Sequence, residues 1–274
     1  MKKSLISIFL VIFVSLKLFA TDVVDPFKNI EYFTLENGMK VYMLSDNQAV
    51  NSQISVEVNV GTDVETKHNA GISHLLEHVI FRDDRVSKNT YTSYLEEQGA
   101  TYINGFTSRY LTEYVATIDS KKAYFLVKSF SEMLFNKQLN QNDLEIEKGA
   151  LQIEIGDLKS YHASFYYIGR FFKWLSDLFP PTFEIYRDDF SLQEEHDLPH
   201  NYYFKSNNRN FTLEQIEQHY EDYYYPSNMI LKIVGNFNEQ KMKEAIYNSF
   251  GKIEKKGTKS VEKPSYDAIL NNSS

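Results

Sequence analysis

The residues best suited to chemistry in this sequence are His74-Leu75-Leu76-Glu77-His78. On an α-helix, residues i and i+4 lie one turn apart on the same face, so the imidazoles of His74 and His78 can ligate one ion. Glu77 shares that face, and a carboxylate there can take a proton from a metal-bound water. The order His-x-x-Glu-His reverses the commoner His-Glu-x-x-His arrangement and is a catalytic motif in its own right. Two ligands leave a catalytic zinc site one short, because such a site needs three protein ligands and an open position. A helix is expected over Leu144 to Leu158, and it offers Glu147 and Glu154, seven residues and two turns apart on one face. Glu145 and Asp157 compete with them, and spacing alone does not choose between Glu147 and Glu154. The chain has no cysteine, so thiolate metal sites, iron–sulfur clusters and a cysteine nucleophile are excluded. Any metal must be held by histidine and carboxylate.

The elements that must position these residues are legible as patterns. Glu31 to Leu35, Asn37-Gly38 and Lys40 to Leu44 read as a β-hairpin, since both turn residues tolerate positive φ. Ile54, Val56, Val58 and Val60 alternate with polar residues, as in a strand with one buried face. Gly71 to Phe81 is predicted helical, with Ile72, Leu75, Leu76 and Val79 at helical spacing. A second helix is expected from Thr90 to Gln98, ending at Gly99. Two strands are predicted at Thr101 to Asn104 and Leu111 to Ile118, and a helix from Lys121 to Phe135. An aromatic, mostly helical stretch from Tyr161 to Phe179 leads into a loop-like region from Thr182 to Asn210. Thr212 and Gln215 form a capping-box pattern for a helix to Tyr224. Met229 to Val234 is a strand and Glu239 to Phe250 a final helix. The aromatic clusters Phe165 to Phe172 and Tyr223 to Tyr225 read as core packing. Interleaved strands and helices with hairpins point to an α+β fold, with an antiparallel-rich sheet packed with helices. His196 and His200 are four apart but flank Pro199 in loop-like sequence. His68, His162 and His219 stand alone.

The segment GISHLLEHVIF, residues 71–81, strongly resembles the zinc-binding helix of the pitrilysin family of metallopeptidases. A strand ending in glycine precedes that helix in the family, matched here by Val56 to Gly61. The family's distal zinc-binding glutamate follows the second histidine by about 76 residues, and Glu154 follows His78 by 76. The resemblance therefore implies a Zn²⁺ site of His74, His78 and Glu154, with Glu77 as general base. It makes Glu147 the carboxylate that orients a ligand. Residues 99–108 resemble the family's edge strand beside the metal, to which a substrate peptide adds as a further strand, here at Asn104, Gly105 and Phe106. Arg109 replaces the usual acidic residue, and Arg82 to Lys88 lacks the family's short glycine-containing turn. The resemblance implies a fold of the pitrilysin/processing-peptidase type in a single copy, running from about residue 30 to 253. It further implies a peptide or small-protein substrate and a second domain or subunit of the same family that closes over it. The rival expectation is a non-catalytic or half-enzyme subunit that needs that partner.

The remaining features bound the context. Lys2 and Lys3, the apolar run Leu5 to Leu16 and Phe19-Ala20 have the layout of a signal peptide over residues 1–20. The run is too short for a stable membrane span. Export to a bacterial periplasm or the exterior is expected. Residues 21–253 form the metallopeptidase-type domain, and the polar segment 254–274 reads as a tail or the start of an interdomain linker. The formal charge of −8 argues against nucleic-acid binding.

Overall fold

Alternating burial organises the sheet. The computed structural model describes residues 29–66, 68–154, 211–257 and 259. The signal-like segment 1–20, the stretches 161–179 and 182–210 with His162, His196 and His200, and Asp157 lie outside them. Strands β1 (Glu31–Thr34), β2 (Lys40–Ser45), β3 (Asn51–Val58), β4 (Tyr102–Thr107), β5 (Thr112–Asp119) and β6 (Met229–Gly235) form one sheet in the order β1-β2-β6-β3-β5-β4. All neighbours are antiparallel except β2 and β6, which run parallel. Central β3 pairs on both sides, Ile54 facing Ala116 of β5 and Ile233 of β6. Val41, Met43, Ile54, Val56, Val58, Leu231 and Ile233 are buried on one face. The intervening residues Tyr42, Gln53 and Lys232 are exposed or half-buried.

Helices cover the apolar face. α1 (Ile72–Ile80) packs on β4 and β5, and α3 (Ala123–Phe135) packs on β3 and β5. α2 (Tyr91–Glu97) leads into β4, and its expected stop, Gly99, takes a positive φ. The helix carrying the candidate carboxylates, α4, is described over 141–154. α5 (Leu213–Tyr223) packs against α1, and α6 (Glu239–Asn248) against α3. The capping box of Thr212 and Gln215 is formed. Tyr223, Tyr224 and Tyr225 are buried, as core packing requires.

One local expectation is corrected. The β1–β2 hairpin exists, but its turn is a wider loop closed by Leu35 N–H donating to the Met39 carbonyl at 2.9 Å. Only Gly38 has a positive φ there. The Asn37 amide instead donates to the carbonyls of Phe250 and Ile253, at 2.8 and 2.9 Å. The glycine-free stretch after α1 turns by placing Lys88 and Asn89 at φ of 55° and 58°, a conformation that costs an L-residue roughly 1 kcal/mol or more. The start of the C-terminal tail is held to α5, where Lys259 pairs with Asp222 at 2.7 Å and Lys255 lies over the Tyr220 ring.

Candidate metal centre

α1 begins at Gly71, whose φ of 93° suits glycine and whose side chain can offer no cap. The buried carboxylate of Glu65 takes over that role. It accepts from the N–H groups of Gly71 at 2.7 Å and Ser73 at 2.9 Å, satisfying donors a helix start leaves open. Burial raises the Glu65 pKa despite these hydrogen bonds. The Ser73 hydroxyl lies 3.3 Å from the Gly61 carbonyl and 3.1 Å from Nε2 of His219 on α5. Donating to the carbonyl leaves it accepting from the imidazole. His219 is therefore not isolated, as its sequence context suggested, but a buried anchor of α1. Burial pushes its pKa down to about 4.

The helix places both histidines toward α4. His74 Nε2 and His78 Nε2 are 3.2 Å apart. Glu154 brings Oε2 to 3.3 Å from His78 Nε2 and Oε1 to 3.7 Å from His74 Nε2. A tetrahedral zinc with bonds of about 2.0–2.1 Å needs ligand atoms roughly 3.3 Å apart, so these three donors fit the ion. Glu147, the carboxylate two turns earlier, faces the other side of the His78 ring. Its Oε2 is 3.1 Å from Nδ1, and its Oε1 accepts from Arg82 Nε. Placing the ring proton on Nδ1 leaves the Nε2 lone pair toward the ligand cluster. Glu145 is exposed and pairs with Lys148 at 2.8 Å, so it takes no part in the cluster.

Charge state follows the same geometry. Burial, helped by repulsion from His78, pushes His74 down to about 3. For His78, burial opposes the charge, but the Glu147 hydrogen bond and the carboxylates of Glu77, Glu147 and Glu154 outweigh it and the pKa rises. Burial pushes Glu77 up to about 7, against the pull of His78 and Thr107. Glu147 is held low by His78 and Arg82 despite burial.

Glu77 sits between the histidines and the edge of the sheet. Its Oε2 is 3.9 Å from His74 Nε2 and accepts from the Thr107 hydroxyl at 2.9 Å. A Cβ at Gly105 would fall 2.2 Å from Glu77 Oε1, so glycine there lets the carboxylate lie directly beneath β4. Asn104 and Phe106 are exposed, and their side chains lie on the face opposite Gly105. Among the described residues no strand lies beyond β4. Ser108 N–H donates to Leu111 at the hairpin end. By antiparallel alternation, the main-chain groups of Ile103, Gly105 and Thr107 then turn to the free edge. Sequence reasoning missed Thr107, although strand alternation places 103, 105 and 107 on one face. It also missed Glu65, which no spacing distinguishes from a loop charge. Arg109 is engaged with Asp63 at 2.9 Å.

The family described as Insulinase (Peptidase family M16) matches residues 40–167, and its companion, Peptidase M16 inactive domain, matches 210–272. The chain belongs to the M16 peptidase family. It is similar to the uncharacterized zinc protease YmxG of Bacillus subtilis, 24% identical over 255 residues, covering 86% of this chain and 54% of that protein. The crystal structure of a protease from Helicobacter pylori superposes with a TM-score of 0.63 at 22% identity, over 86% of this chain and 53% of that one. The periplasmic protease PqqL from Escherichia coli superposes with a TM-score of 0.64 at 18% identity, over 87% of this chain and 25% of that one. These two likenesses establish the M16 fold. The chain spans about half the length, or less, of the relatives it matches. Among the described residues, no helix is long and apolar enough to cross a membrane.

Proposed function

We propose that this chain is an exported, zinc-dependent endopeptidase domain that hydrolyses peptides or small proteins bound as an added strand. The observation that carries the reading is the meeting of three ligand atoms, a buried carboxylate and a free strand edge in one place. His74, His78 and Glu154 would hold the ion, and zinc so bound supplies polarisation of a peptide carbonyl and acidification of a water. Glu147 fixes the His78 ring. Glu77 takes the proton of the attacking water and passes it to the leaving amine, and a pKa raised by burial suits a group that must do both. Thr107 holds the Glu77 carboxylate in line. The substrate backbone pairs with Ile103, Gly105 and Thr107 along the β4 edge, which sets it directly over Glu77. Asn104 and Phe106 then flank the added strand from the opposite face. Export is supported by the layout of residues 1–20 and by likeness to a protease named as periplasmic.

The test is Glu77→Gln, which keeps the shape and removes the base. Zinc content should stay at one per chain while peptide hydrolysis falls by about 10²–10⁴-fold. Parental cleavage in that variant would end the assignment. The relatives carry about as much chain again, so we further propose that a second unit of the same family forms the other wall of the substrate site. Adding a family domain without ligands to the purified chain should raise turnover without raising zinc content. Full activity of the chain alone would remove this part of the reading.

A further inference from the structure

The two histidines are spaced by one helix, but Glu147 and Glu154 reach them from a different helix, 69 and 76 residues beyond His78. Something must set that second helix in register. We propose that Arg82 and Lys137 are positioning residues that lock α4 to the C-terminal end of α1, so that Glu147 and Glu154 meet His78 and His74. The proposal rests on the zinc reading above for its function, but its structural content is independent of it.

Lys137 is the centre of the bracket. Its side chain is 1% exposed and that of its partner Asp143 is 2% exposed, with the ammonium 3.0 Å from Asp143 Oδ2. The same ammonium donates to the carbonyl of Arg82, just past the end of α1. One cation thus joins the carbonyl end of α1, which favours positive charge, to an acidic residue in the first turn of α4, where negative charge is favoured. Asp143 is itself fixed. Its Oδ2 accepts from the Asn140 amide at 2.9 Å, and its N–H donates to Asn140 Oδ1 at 2.9 Å. The Arg82 side chain meanwhile reaches forward to Glu147 Oε1. Arg85 adds an outer tie to the Asn136 carbonyl at 2.7 Å.

Position matters here because a helix is a lever. Asp143, Glu147 and Glu154 lie on one face of α4, and Glu154 is 11 residues beyond Asp143. At 1.5 Å per residue, a tilt of about 5° at Asp143 moves Glu154 by about 1.4 Å. Metal ligands tolerate errors of only about 0.2 Å. Burying an ammonium–carboxylate pair is weak as a source of stability, since desolvation opposes the attraction. A fixed geometry is what this pair supplies. Arg82 and Arg85 come from the stretch after α1 that contains no glycine.

The test uses the full chain and measures zinc affinity by competition with a chromogenic chelator. The double variant Lys137→Met with Asp143→Leu removes both charges together, and the apolar pair should leave far-UV circular dichroism and the metal-free unfolding midpoint near parental. Its zinc affinity should fall about 10–100-fold, as for loss of outer-shell support. Arg82→Met should give a similar fall, and Arg82→Lys, which keeps a donor, should restore most of it. In metal-free protein, at a pH high enough to keep the ring neutral, the His78 tautomer seen by long-range ¹H–¹⁵N correlation should be fixed in the parent and averaged in the double variant and in Arg82→Met. A folded double variant, or Arg82→Met, with parental affinity and a parental tautomer overturns the proposal. If the double variant does not fold, Arg82→Met decides alone. A parent that binds no zinc but shows the tautomer contrast would sink the zinc reading and leave the bracket standing.

Discussion

The two helices that build the centre, α1 and α4, are held in opposite ways. α1 is gripped at its N-terminal end by neutral or singly charged hydrogen bonds: Glu65 on the N–H groups of Gly71 and Ser73, and His219 on the Ser73 hydroxyl. α4 is gripped by ion pairs, Lys137 with Asp143 and Arg82 with Glu147. The difference matches what each helix must supply. α1 carries its two histidines at a spacing that helix geometry guarantees, so it needs only to be kept helical from its first turn. α4 carries carboxylates whose distance to those histidines nothing local guarantees, so it needs a directional clamp.

The largest effect comes from removing the α1 grip. Glu65→Ala leaves two buried N–H groups without an acceptor, each worth about 1–3 kcal/mol. The expected loss is about 3 kcal/mol, seen as a lower unfolding midpoint in denaturant with metal removed. Glu65→Gln, which keeps one acceptor oxygen, should lose roughly half of that. A midpoint unchanged in Glu65→Ala would mean that the grip lies elsewhere.

The same difference between local and tertiary placement governs what was legible in the sequence. His74, Glu77 and His78 could be read directly, because i, i+3 and i+4 share a helix face in any context. The strands could be read because one-sided burial forces alternation, as in Ile54, Val56 and Val58. Choosing Glu154 over Glu147 required the family likeness, since both project from one face of α4 and only the tertiary placement separates them. The supports were silent. Lys137 and Asp143 look like solvated charges in a polar stretch, yet fold to 1% and 2% exposure. His219 lies 146 residues from Ser73, and nothing in its surroundings announces the contact. Lone polar residues acquire their partners only when the chain closes on itself.

A second effect of comparable size probes the α1 grip through pH. The folded pKa of His219, about 4, lies below the 6.5 of an exposed imidazole. As pH falls, the unfolded chain therefore takes up this proton first, and the folded state loses ground. Stability from this residue is complete above about pH 6.5 and declines until about pH 4, by roughly 3 kcal/mol in total. Asp222 opposes the depression and Lys259 deepens it. His219→Gln keeps a donor for the Ser73 hydroxyl but cannot titrate. Denaturation across pH 4 to 7 should show a shallower decline in the variant than in the parent. Parallel curves would mean that the imidazole is charged in the fold.

The turn between α1 and α2 gives the smallest effect and the sharpest contrast with the clamp beside it. Lys88 holds a left-handed φ of 55°, and its side chain is 70% exposed with only a 3.7 Å contact to Glu97. An exposed pair of that kind contributes little. Glycine relieves the conformational cost of about 1 kcal/mol but frees the unfolded chain, so Lys88→Gly should gain about 0.5 kcal/mol. The neighbouring Asn89, at φ 58°, is a residue type that tolerates this region, and Asn89→Gly should be close to neutral. Zinc affinity should not move in either variant, because neither side chain touches the bracket. A thermal midpoint that falls in Lys88→Gly would show the Lys88 side chain holding the turn. A change in zinc affinity would extend the clamp on α4 beyond Arg82, Arg85 and Lys137 into the turn itself.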